Sequence, residues 1–289
     1  MTVQFVTNDK VAETSSKGNQ EKWQDGGRWY KLDQFGYEGL AETVISGLLE
    51  HSSIETDMPF RFVRYRMERM NVHGRDRNGC SSADFLRPGE SIITLSHLFK
   101  REGLILKEIL PRLSSDKKRI AWLAEETAAL TGLEEFPQYL TLLFEVDALF
   151  LNDDRHLNNI AVLEKSGRFD YCPIFDNGAG LLSNVQMAPM DIAPAALIRS
   201  AKARPFNTTF NRQVIHARNL YGPQLHIPEF TAEELHLELE GPLNYYAQRD
   251  RGFIGDRVCQ TILTRQKEHN KEYTYLSAAL RNHVNSGYK

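Results

Sequence analysis

Apolar and polar residues change their spacing along the chain, and this change indicates which elements form. In residues 22–32 two aromatic-containing runs flank a Gly-Gly pair, a pattern typical of a β-hairpin. Residues 38–51 instead carry Leu, Val and Ile at the spacing of an amphipathic helix. Side-chain character alternates over residues 59–70, which predicts a strand, and the turn formers at 71–84 predict a loop after it.

From about residue 95 the apolar spacing becomes mainly helical. Helices are predicted around residues 120–130 and 139–150. Short apolar runs at 160–163 and 169–175 then predict two strands, joined by a turn that contains a glycine. No internal repeat or low-complexity linker interrupts this order.

The order of the elements predicts an α+β architecture with two lobes. We expect a small lobe of strands and one helix in residues 1–90, and a larger helical lobe with the inserted hairpin in residues 91–289. The boundary is expected near residues 80–95. Residues 200–289 carry a helical pattern but no motif that indicates a function.

Composition and charge narrow the compartment and the class of partner. The 289 residues carry a net charge of −3, which disfavours a non-specific nucleic-acid-binding protein, since such proteins usually have a basic excess. No apolar stretch predicts a signal peptide or a membrane span. The three cysteines are far apart and lack CxxC spacing, which argues against a disulfide framework or a zinc site. We therefore expect a cytoplasmic protein, or an exported effector without a recognisable signal, with no membrane or direct nucleic-acid contact.

Three polar residues around the second hairpin indicate phosphoryl transfer. In LNDDRHLNNIAVL, at 151–163, Asp154 lies five positions before Asn159 in a loop between a helix and a strand, and Asp176 follows the hairpin in FDNG. Phosphoryl transfer needs a carboxylate that orients the attacking hydroxyl and oxygen ligands that hold Mg²⁺ against the phosphates. Protein kinases use the same Asp-to-Asn spacing, followed by a hairpin and an Asp-x-Gly metal loop. The sequence therefore predicts an ATP- and Mg²⁺-dependent phosphotransferase with Asp154 as its catalytic residue.

Two other interpretations of this segment stay open at the level of sequence. A polar turn that only caps the next element explains the loop alone, but it explains the hairpin ending in Asp-Asn-Gly less well. A metal-dependent hydrolase would draw its ligands from Asp153, Asp154, His156 and Asp176, although no HxH or HExxH motif accompanies them. For His156 we expect a structural role in the loop.

A kinase also needs a cation at the nucleotide phosphates, and the first hairpin offers one. Lys31 lies on the second strand, and the helix at 38–51 contributes Glu38 and Glu42 as candidate partners. We prefer Glu42, because Glu38 lies at the helix start, where a carboxylate stabilises the macrodipole. The polar stretch upstream is interpreted equally well as a phosphate-cradling loop or as a disordered tail. Its candidate nucleotide-binding residues are Ser16, Lys17, Gly18, Asn19 and Gln20.

These motifs resemble the HipA-like kinases, a bacterial branch of the kinase fold that occurs in toxin–antitoxin systems and related effectors. The resemblance rests on SSKGNQEKW, WYKLD, YEGLAE, LNDDRHLNNIAVL and FDNG, which span residues 15–180. It implies a bilobal, protein-kinase-like fold and phosphorylation of Ser or Thr with ATP and Mg²⁺. It also implies specific roles: Asp154 as the base, Asn159 and Asp176 as metal ligands, and Lys31 as the phosphate ligand.

The resemblance further implies regulation and partners. Full-length toxins of this family are switched off by autophosphorylation of a serine in the N-terminal loop, where this chain has Ser15 and Ser16. Longer members carry an extra N-terminal subdomain, so we expect a short form that acts alone or with a small antitoxin or subdomain-like partner protein. A protein is the expected substrate. Because phosphatidylinositol kinases share a DRHxxN-type loop, a lipid or small-molecule kinase stays an alternative, as does a non-catalytic nucleotide-binding pseudokinase.

Overall fold

The computed structural model describes residues 3–6 and 20–286, and the side chains of residues 20–270. In this part of the chain the strands are β1 (Val3–Val6), β2 (Lys22–Asp25), β3 (Arg28–Leu32), β4 (Tyr65–Val72), β5 (Arg75–Ala83), β6 (Ser91–Thr94), β7 (Ala161–Lys165) and β8 (Arg168–Tyr171). The helices are α1 (Glu38–Leu49), α2 (Ile54–Asp57), α3 (Leu95–Arg101), α4 (Leu106–Ile109), α5 (Asp116–Thr131), α6 (Phe136–Phe150), α7 (Pro194–Ser200), α8 (Phe210–Tyr221), α9 (Ala232–Leu243) and α10 (Gln248–Ser286). Most strands thus precede residue 95 and most helices follow it.

The first sheet has the strand order β1-β4-β5-β3-β2, and its neighbours are antiparallel except for β1 and β4. The predicted first hairpin is β2–β3, whose turn residues Gly26 and Gly27 have φ of 56° and 72°. Two successive residues with positive φ match the twist of paired strands, and glycine adopts them without steric cost. The predicted helix is α1, which packs against β4 and β5.

The strand predicted at 59–70 is only partly right, because β4 starts later, at Tyr65. The residues before β4 are extended, but they pair outside the first sheet. The amide of Val63 donates to the carbonyl oxygen of Ile174 at 2.9 Å, and the amide of Ile174 donates to the carbonyl oxygen of Arg61 at 2.7 Å. This segment therefore ties the first sheet to the region that follows the second hairpin.

The central strand β5 lies where the sequence predicts a loop, so the prediction for residues 71–84 is wrong. The turn in this segment is at His73 and Gly74, which have φ of 54° and 75° and lie between β4 and β5. The small residues come later, from Gly79 to Ala83, where β5 lies between two strands and under α1. A Cβ on Gly79 would lie 2.0 Å from the carbonyl oxygen of Lys31. The small residues thus permit close packing rather than a loop.

The second sheet has the order β6-β7-β8, and β7–β8 is the predicted second hairpin. Its turn contains Ser166 and Gly167 with φ of 50° and 77°. The first three residues of β7 are fully buried, which agrees with the short apolar run in the sequence. The hairpin therefore connects the polar loop before β7 to the FDNG segment after β8.

Helix α6 is the centre of the helical part, and every residue from Tyr139 to Phe150 is buried. Helices α5, α8 and α10 pack around it. Its buried Glu145 pairs with Arg218 of α8 at 2.5 Å and accepts the amides of Gln224 and Leu225 at 2.9 and 2.7 Å. A buried carboxylate needs such partners to offset its desolvation. These contacts fix the helix whose C-terminal end leads into the predicted catalytic loop.

The three cysteines, Cys80, Cys172 and Cys259, are buried free thiols. Burial raises the pKa of the Cys172 thiol above its ordinary value. Within residues that the structure describes, no helix combines the length and apolarity needed to cross a bilayer.

Replacement of Gly79 by alanine tests the packing of β5. The new methyl group collides with backbone atoms of β3, so we expect Gly79→Ala to lower the free energy of unfolding by about 2 kcal/mol or more. Urea unfolding monitored by circular dichroism measures this change. Gly252→Ala in α10 is the matched control, since no atom lies within 4 Å of its added Cβ. Alanine in an exposed helical position should raise stability slightly. Equal effects of the two variants would contradict the packing argument.

Candidate active site

The predicted catalytic loop begins where α6 ends. Leu151 terminates the helix in the left-handed conformation, with φ of 56°. Two backbone hydrogen bonds then turn the loop. The amide of His156 donates to the carbonyl oxygen of Asp154 at 2.8 Å, and the amide of Asn159 donates to the carbonyl oxygen of His156 at 2.7 Å. The side-chain amide of Asn159 also donates to the Asp154 carbonyl oxygen at 2.9 Å. The loop therefore brings the two predicted residues together, although five positions separate them in the sequence.

The carboxylate of Asp154 lies at the open side of this loop, with 58% of the side chain exposed. Partial burial raises its pKa above the ordinary value, His156 opposes the rise, and the charge of Asp176 adds to it. His156 lies 3.7 Å from the carboxylate, a distance that suits an electrostatic contact rather than a hydrogen bond. The exposed location thus suits a carboxylate that accepts a proton from a bound molecule.

Lys31, Glu42 and Asp176 form a buried ion cluster. The ammonium of Lys31 lies 2.5 Å from Oε1 of Glu42 and 2.7 Å from Oδ1 of Asp176. Lys31 is 8% exposed and Glu42 is fully buried. The second oxygen of Glu42 accepts the amide of Asn177 at 2.9 Å. Residues from β3, α1 and the FDNG segment therefore meet at one point, and Glu42, not Glu38, is the partner of Lys31.

The local structure explains why Glu38 is not that partner. Its carboxylate turns back and accepts the amides of Gln34, Phe35 and Gly36 at 3.2, 2.7 and 3.1 Å. These amides belong to the turn that precedes α1, and the carboxylate of Glu38 supplies the acceptor that they need. One turn later, Glu42 points towards β3 and the FDNG segment.

The charges of the cluster stabilise one another. Burial raises the pKa of Glu42, although the Lys31 ammonium opposes that rise. Burial opposes the charge on Lys31, but the carboxylates of Asp176 and Glu42 outweigh it and raise the lysine pKa well above its usual range. Burial also opposes the charge on Asp176, which by itself would raise its pKa. The ammonium groups of Lys31 and Lys22 outweigh burial and hold the pKa of Asp176 below its ordinary value. Lys31 and Asp176 are therefore both charged at neutral pH.

Lys22 is a residue that the sequence analysis missed. It pairs with Lys31 in the β2–β3 register, so both side chains extend from the same face of the sheet. Burial lowers the pKa of Lys22, and the nearby charge of Asp176 opposes the change. The sequence feature that could have revealed Lys22 is the hairpin register, because a two-residue turn at Gly26 and Gly27 places Lys22 opposite Lys31.

Arg155 is a second residue without a predicted role, and it is only 1% exposed. Its guanidinium binds the Asp147 carboxylate at 2.9 Å and the side-chain oxygen of Asn177 at 2.7 Å. It also donates to the carbonyl oxygens of Phe175 and Asn159 at 2.7 and 3.2 Å. One side chain thus links α6, the predicted catalytic loop and the FDNG segment.

Asp176 itself has φ of 63°, an uncommon conformation for a residue with a side chain. The adjacent Gly178 lies against α1, where an added Cβ would approach Glu42 at 3.4 Å. The FDNG segment therefore turns sharply under α1, which directs the Asp176 carboxylate towards Lys31.

A partly buried apolar surface adjoins this segment. Phe85, Leu86 and Phe175 pack against a buried cluster of Ala161, Leu163 and Cys172. The rings of Phe85 and Phe175 have centroids 6.3 Å apart. Since Phe175 directly precedes Asp176, an apolar group bound here would lie close to the ion cluster. Sequence analysis missed this surface, because its residues come from three distant segments.

The upstream loop is described only at its end. Ser15, Ser16, Lys17, Gly18 and Asn19 lie outside the described residues. The side-chain amide of Gln20 donates to the carbonyl oxygen of Leu32 at 2.7 Å. Gln20 therefore attaches this loop to β3, next to Lys31, and its predicted contact with nucleotide stays a prediction.

The ligand set that a hydrolase would need does not assemble in the described residues. No three side chains of His, Cys, Asp or Glu come together there in a way that could hold a metal ion. The predicted kinase pair is chemically different, since it consists of the amide oxygen of Asn159 and the carboxylate of Asp176. Hard oxygen ligands of this kind, few in number, are what Mg²⁺ accepts beside phosphates and water.

Comparisons with known proteins identify the fold. No protein-family model and no curated protein matched the chain. Among solved structures, the Helicobacter pylori proinflammatory kinase CtkA is similar, with a TM-score of 0.59 and 11% identity over 90% of this chain and 93% of that one. The Shewanella oneidensis toxin HipA, solved with HipB and operator DNA, matches with a TM-score of 0.42 and 13% identity over 87% of this chain and 64% of that one. The fold of the chain is that of the kinase CtkA, which confirms at the level of fold the predicted α+β, bilobal, kinase-like architecture and the resemblance to HipA-like kinases.

Proposed function

We propose that the chain is an ATP- and Mg²⁺-dependent serine/threonine protein kinase of the HipA-like type. The observation that carries this proposal is the buried cluster in which Lys31 contacts Glu42 and Asp176 at once. In protein kinases a Lys–Glu pair and a metal-binding Asp must both be in place for phosphoryl transfer. The fold shared with CtkA supports the same function.

The nucleotide is proposed to lie between the two lysines and the apolar surface. Lys31 and Lys22 offer adjacent positive charges to the phosphates, and the buried carboxylates hold Lys31 in position. Phe85, Leu86 and Phe175 offer an apolar surface of the kind on which a planar base packs. Phosphates bound at the lysines would then lie beside Asp176.

Asn159 and Asp176 are the proposed metal ligands, and their surroundings fit the role. Asn159 uses its amide nitrogen on the carbonyl oxygen of Asp154, so its side-chain oxygen is directed away from that contact. Asp176 engages Lys31 through Oδ1, which leaves Oδ2 for another partner. When bound, Mg²⁺ would neutralise the charge of the β- and γ-phosphates.

Asp154 is the proposed general base. Its exposed carboxylate can orient the hydroxyl of a Ser or Thr side chain and accept its proton as the phosphoryl group transfers to the hydroxyl oxygen. The raised pKa of Asp154 brings its basicity closer to that required near neutral pH. The buried Arg155 holds this loop in place by donating to the carbonyl oxygen of Asn159.

The role of Asp154 is tested by Asp154→Asn, which keeps the shape but cannot accept the proton. We expect the rate of phosphoryl transfer to fall by about 10²–10⁴-fold, with ATP binding largely retained. Transfer is measured with γ-labelled ATP on protein, lipid and metabolite pools, and binding by calorimetry. Asp153→Asn, next in the chain, is the control and should keep most of the activity. Normal transfer by Asp154→Asn would overturn the assignment, and label confined to non-protein pools would exclude a protein kinase.

Metal and phosphate binding are separated by a second pair of variants. Asp176→Asn removes a proposed metal ligand, so the Mg²⁺ concentration for half-maximal activity should rise by about 10–100-fold. Lys22→Ala removes a charge at the phosphates, so the KM for ATP should rise by about 10-fold with little change in Mg²⁺ requirement. Titrations of initial rate against each ligand measure both effects. The assignment fails if the two variants show the same pattern.

Self-regulation is tested at the serines named by the resemblance. After incubation with Mg²⁺-ATP, we expect a mass gain of at least one phosphate, located at Ser15 or Ser16, and none in Asp154→Asn. Intact mass spectrometry and peptide mapping measure this gain, with the Ser15→Ala/Ser16→Ala double variant as the control. If the chain phosphorylates other proteins but its own mass does not change, autophosphorylation is excluded and the proposed kinase activity is kept.

A further inference from the structure

The segment between α9 and α10 contacts the first sheet at two adjacent residues. The hydroxyl of Tyr246 donates to Oδ2 of Asp33 at 2.6 Å. Next to it, the carbonyl oxygen of Tyr245 accepts a hydrogen bond from the guanidinium of Arg69 in β4. These contacts join residues more than 170 positions apart, in a part of the sequence where no motif indicated a function.

Asp33 connects this segment to two of the three elements that form the ion cluster, β3 and α1. It lies two residues after Lys31 of β3, and its Oδ1 accepts the amide of Gly39 at 2.6 Å. Gly39 lies in the first turn of α1, three residues before Glu42. A Cβ on Gly39 would lie 2.9 Å from the Asp33 oxygen and 2.6 Å from the backbone of Gly79, so the carboxylate and the helix are in close contact. One carboxylate thus joins the strand of Lys31 to the helix of Glu42.

The C-terminal third also supports the far end of α1. Helix α9 packs against α1, with a carboxylate oxygen of Glu238 placed 3.3 Å from where a Cβ on Gly47 would be. Just after α1, the amide of Ser53 donates to the carbonyl oxygen of His226 at 3.0 Å. Helix α1 is therefore held at both ends by residues that follow position 220.

We propose that Tyr246 and Asp33 are positioning residues that hold α1 where Glu42 pairs with Lys31. This inference rests on the proposed kinase function, because it assigns the pair a role at the nucleotide phosphates. It gives the C-terminal third a task in the reaction through Tyr246, whose hydroxyl contacts Asp33 rather than a member of the ion cluster.

The geometry supports this role. Gly39 and Glu42 lie one turn apart in the hydrogen-bonded helix α1, so we expect a shift at Gly39 to displace Glu42. The Lys31–Glu42 contact is a charge-assisted hydrogen bond of 2.5 Å, whose strength depends on separation and direction. A misplacement of about 1 Å far from the reacting atoms can cost on the order of 10²-fold in rate.

The electrostatics of Asp33 agree with the geometry. Burial, with a smaller contribution from the charge of Glu38, raises the pKa of Asp33 to about 7. The hydrogen bonds from Tyr246 and Gly39 and the charge of Arg77 oppose this rise. The Tyr246 hydroxyl therefore favours the ionised carboxylate, which can accept both of its hydrogen bonds. Loss of that hydroxyl leaves a buried carboxylate with one partner fewer.

The experiment removes one oxygen atom. We expect Tyr246→Phe to lower kcat/KM for ATP by about 10-fold and to weaken Mg²⁺-ATP binding, measured by calorimetry. Tyr221→Phe is the matched control, because the Tyr221 hydroxyl likewise donates to a carboxylate, that of Glu125, at 3.2 Å, but within the helical part. Tyr221→Phe should leave both quantities unchanged. Equal behaviour of the two variants would overturn the proposal.

The same substitution made in a Glu42→Gln variant distinguishes a role in positioning α1 from a general loss of stability. In the Glu42→Gln variant the ion pair is already weakened, so adding Tyr246→Phe should change kcat/KM by less than about twofold. The fall in Tm that Tyr246→Phe causes should persist in this variant. A full additional loss of activity in that background would show that Tyr246 acts elsewhere. If the wild-type chain binds Mg²⁺-ATP but transfers no phosphate, the kinase function fails and the binding measurements still decide the role of Tyr246. A wild-type chain that does not bind Mg²⁺-ATP overturns both proposals.

Discussion

The buried ammonium of Lys31, held between two carboxylates, is the interaction on which the arrangement of the site depends. Moving a charge out of water is costly, and the cost is offset only where partners are close and well oriented. Glu42 and Asp176 meet that requirement at 2.5 and 2.7 Å. Because the three residues belong to β3, α1 and the segment after β8, the charge is stabilised only when these elements are assembled. The ion cluster therefore links the first sheet to the helical part of the chain.

A second buried cation holds the other side of the same segment. Lys31 engages Asp176 from the first sheet, while Arg155 engages the neighbouring Asn177 from the helical part. Between them, the Glu42 carboxylate accepts the backbone amide of Asn177. The guanidinium suits this location because its fixed fork of donors reaches Asp147 and two carbonyl oxygens at once. The FDNG segment is thus fixed both from the first sheet and α1 and from the helical part of the chain.

Local patterns in the sequence were enough for elements whose reasons are local. The glycine turn predicts β2–β3, and helical spacing predicts α1 and α6, because turn geometry and periodic burial are written in neighbouring residues. The same reasoning fails at β5, where Gly79 and the small residues after it reflect strands that come from elsewhere. Lys22 could have been found from the hairpin register. Arg155 and Tyr246 could not, since their partners lie up to 22 and 213 positions away, respectively, and only the fold brings them together.

The C-terminal third carries no motif, yet it packs against the helix that carries Glu42. Its helices have no polar pattern of their own that indicates chemistry, yet α9 packs against α1, and Tyr246 after α9 contacts Asp33. A single helix packed on a sheet has one free side, and a short helix depends on such packing for its place. Here that side is covered by the same chain rather than left to solvent. The separation of Lys31 and Glu42 is therefore set by contacts within one polypeptide, and the paired arrangement is the one that this packing favours.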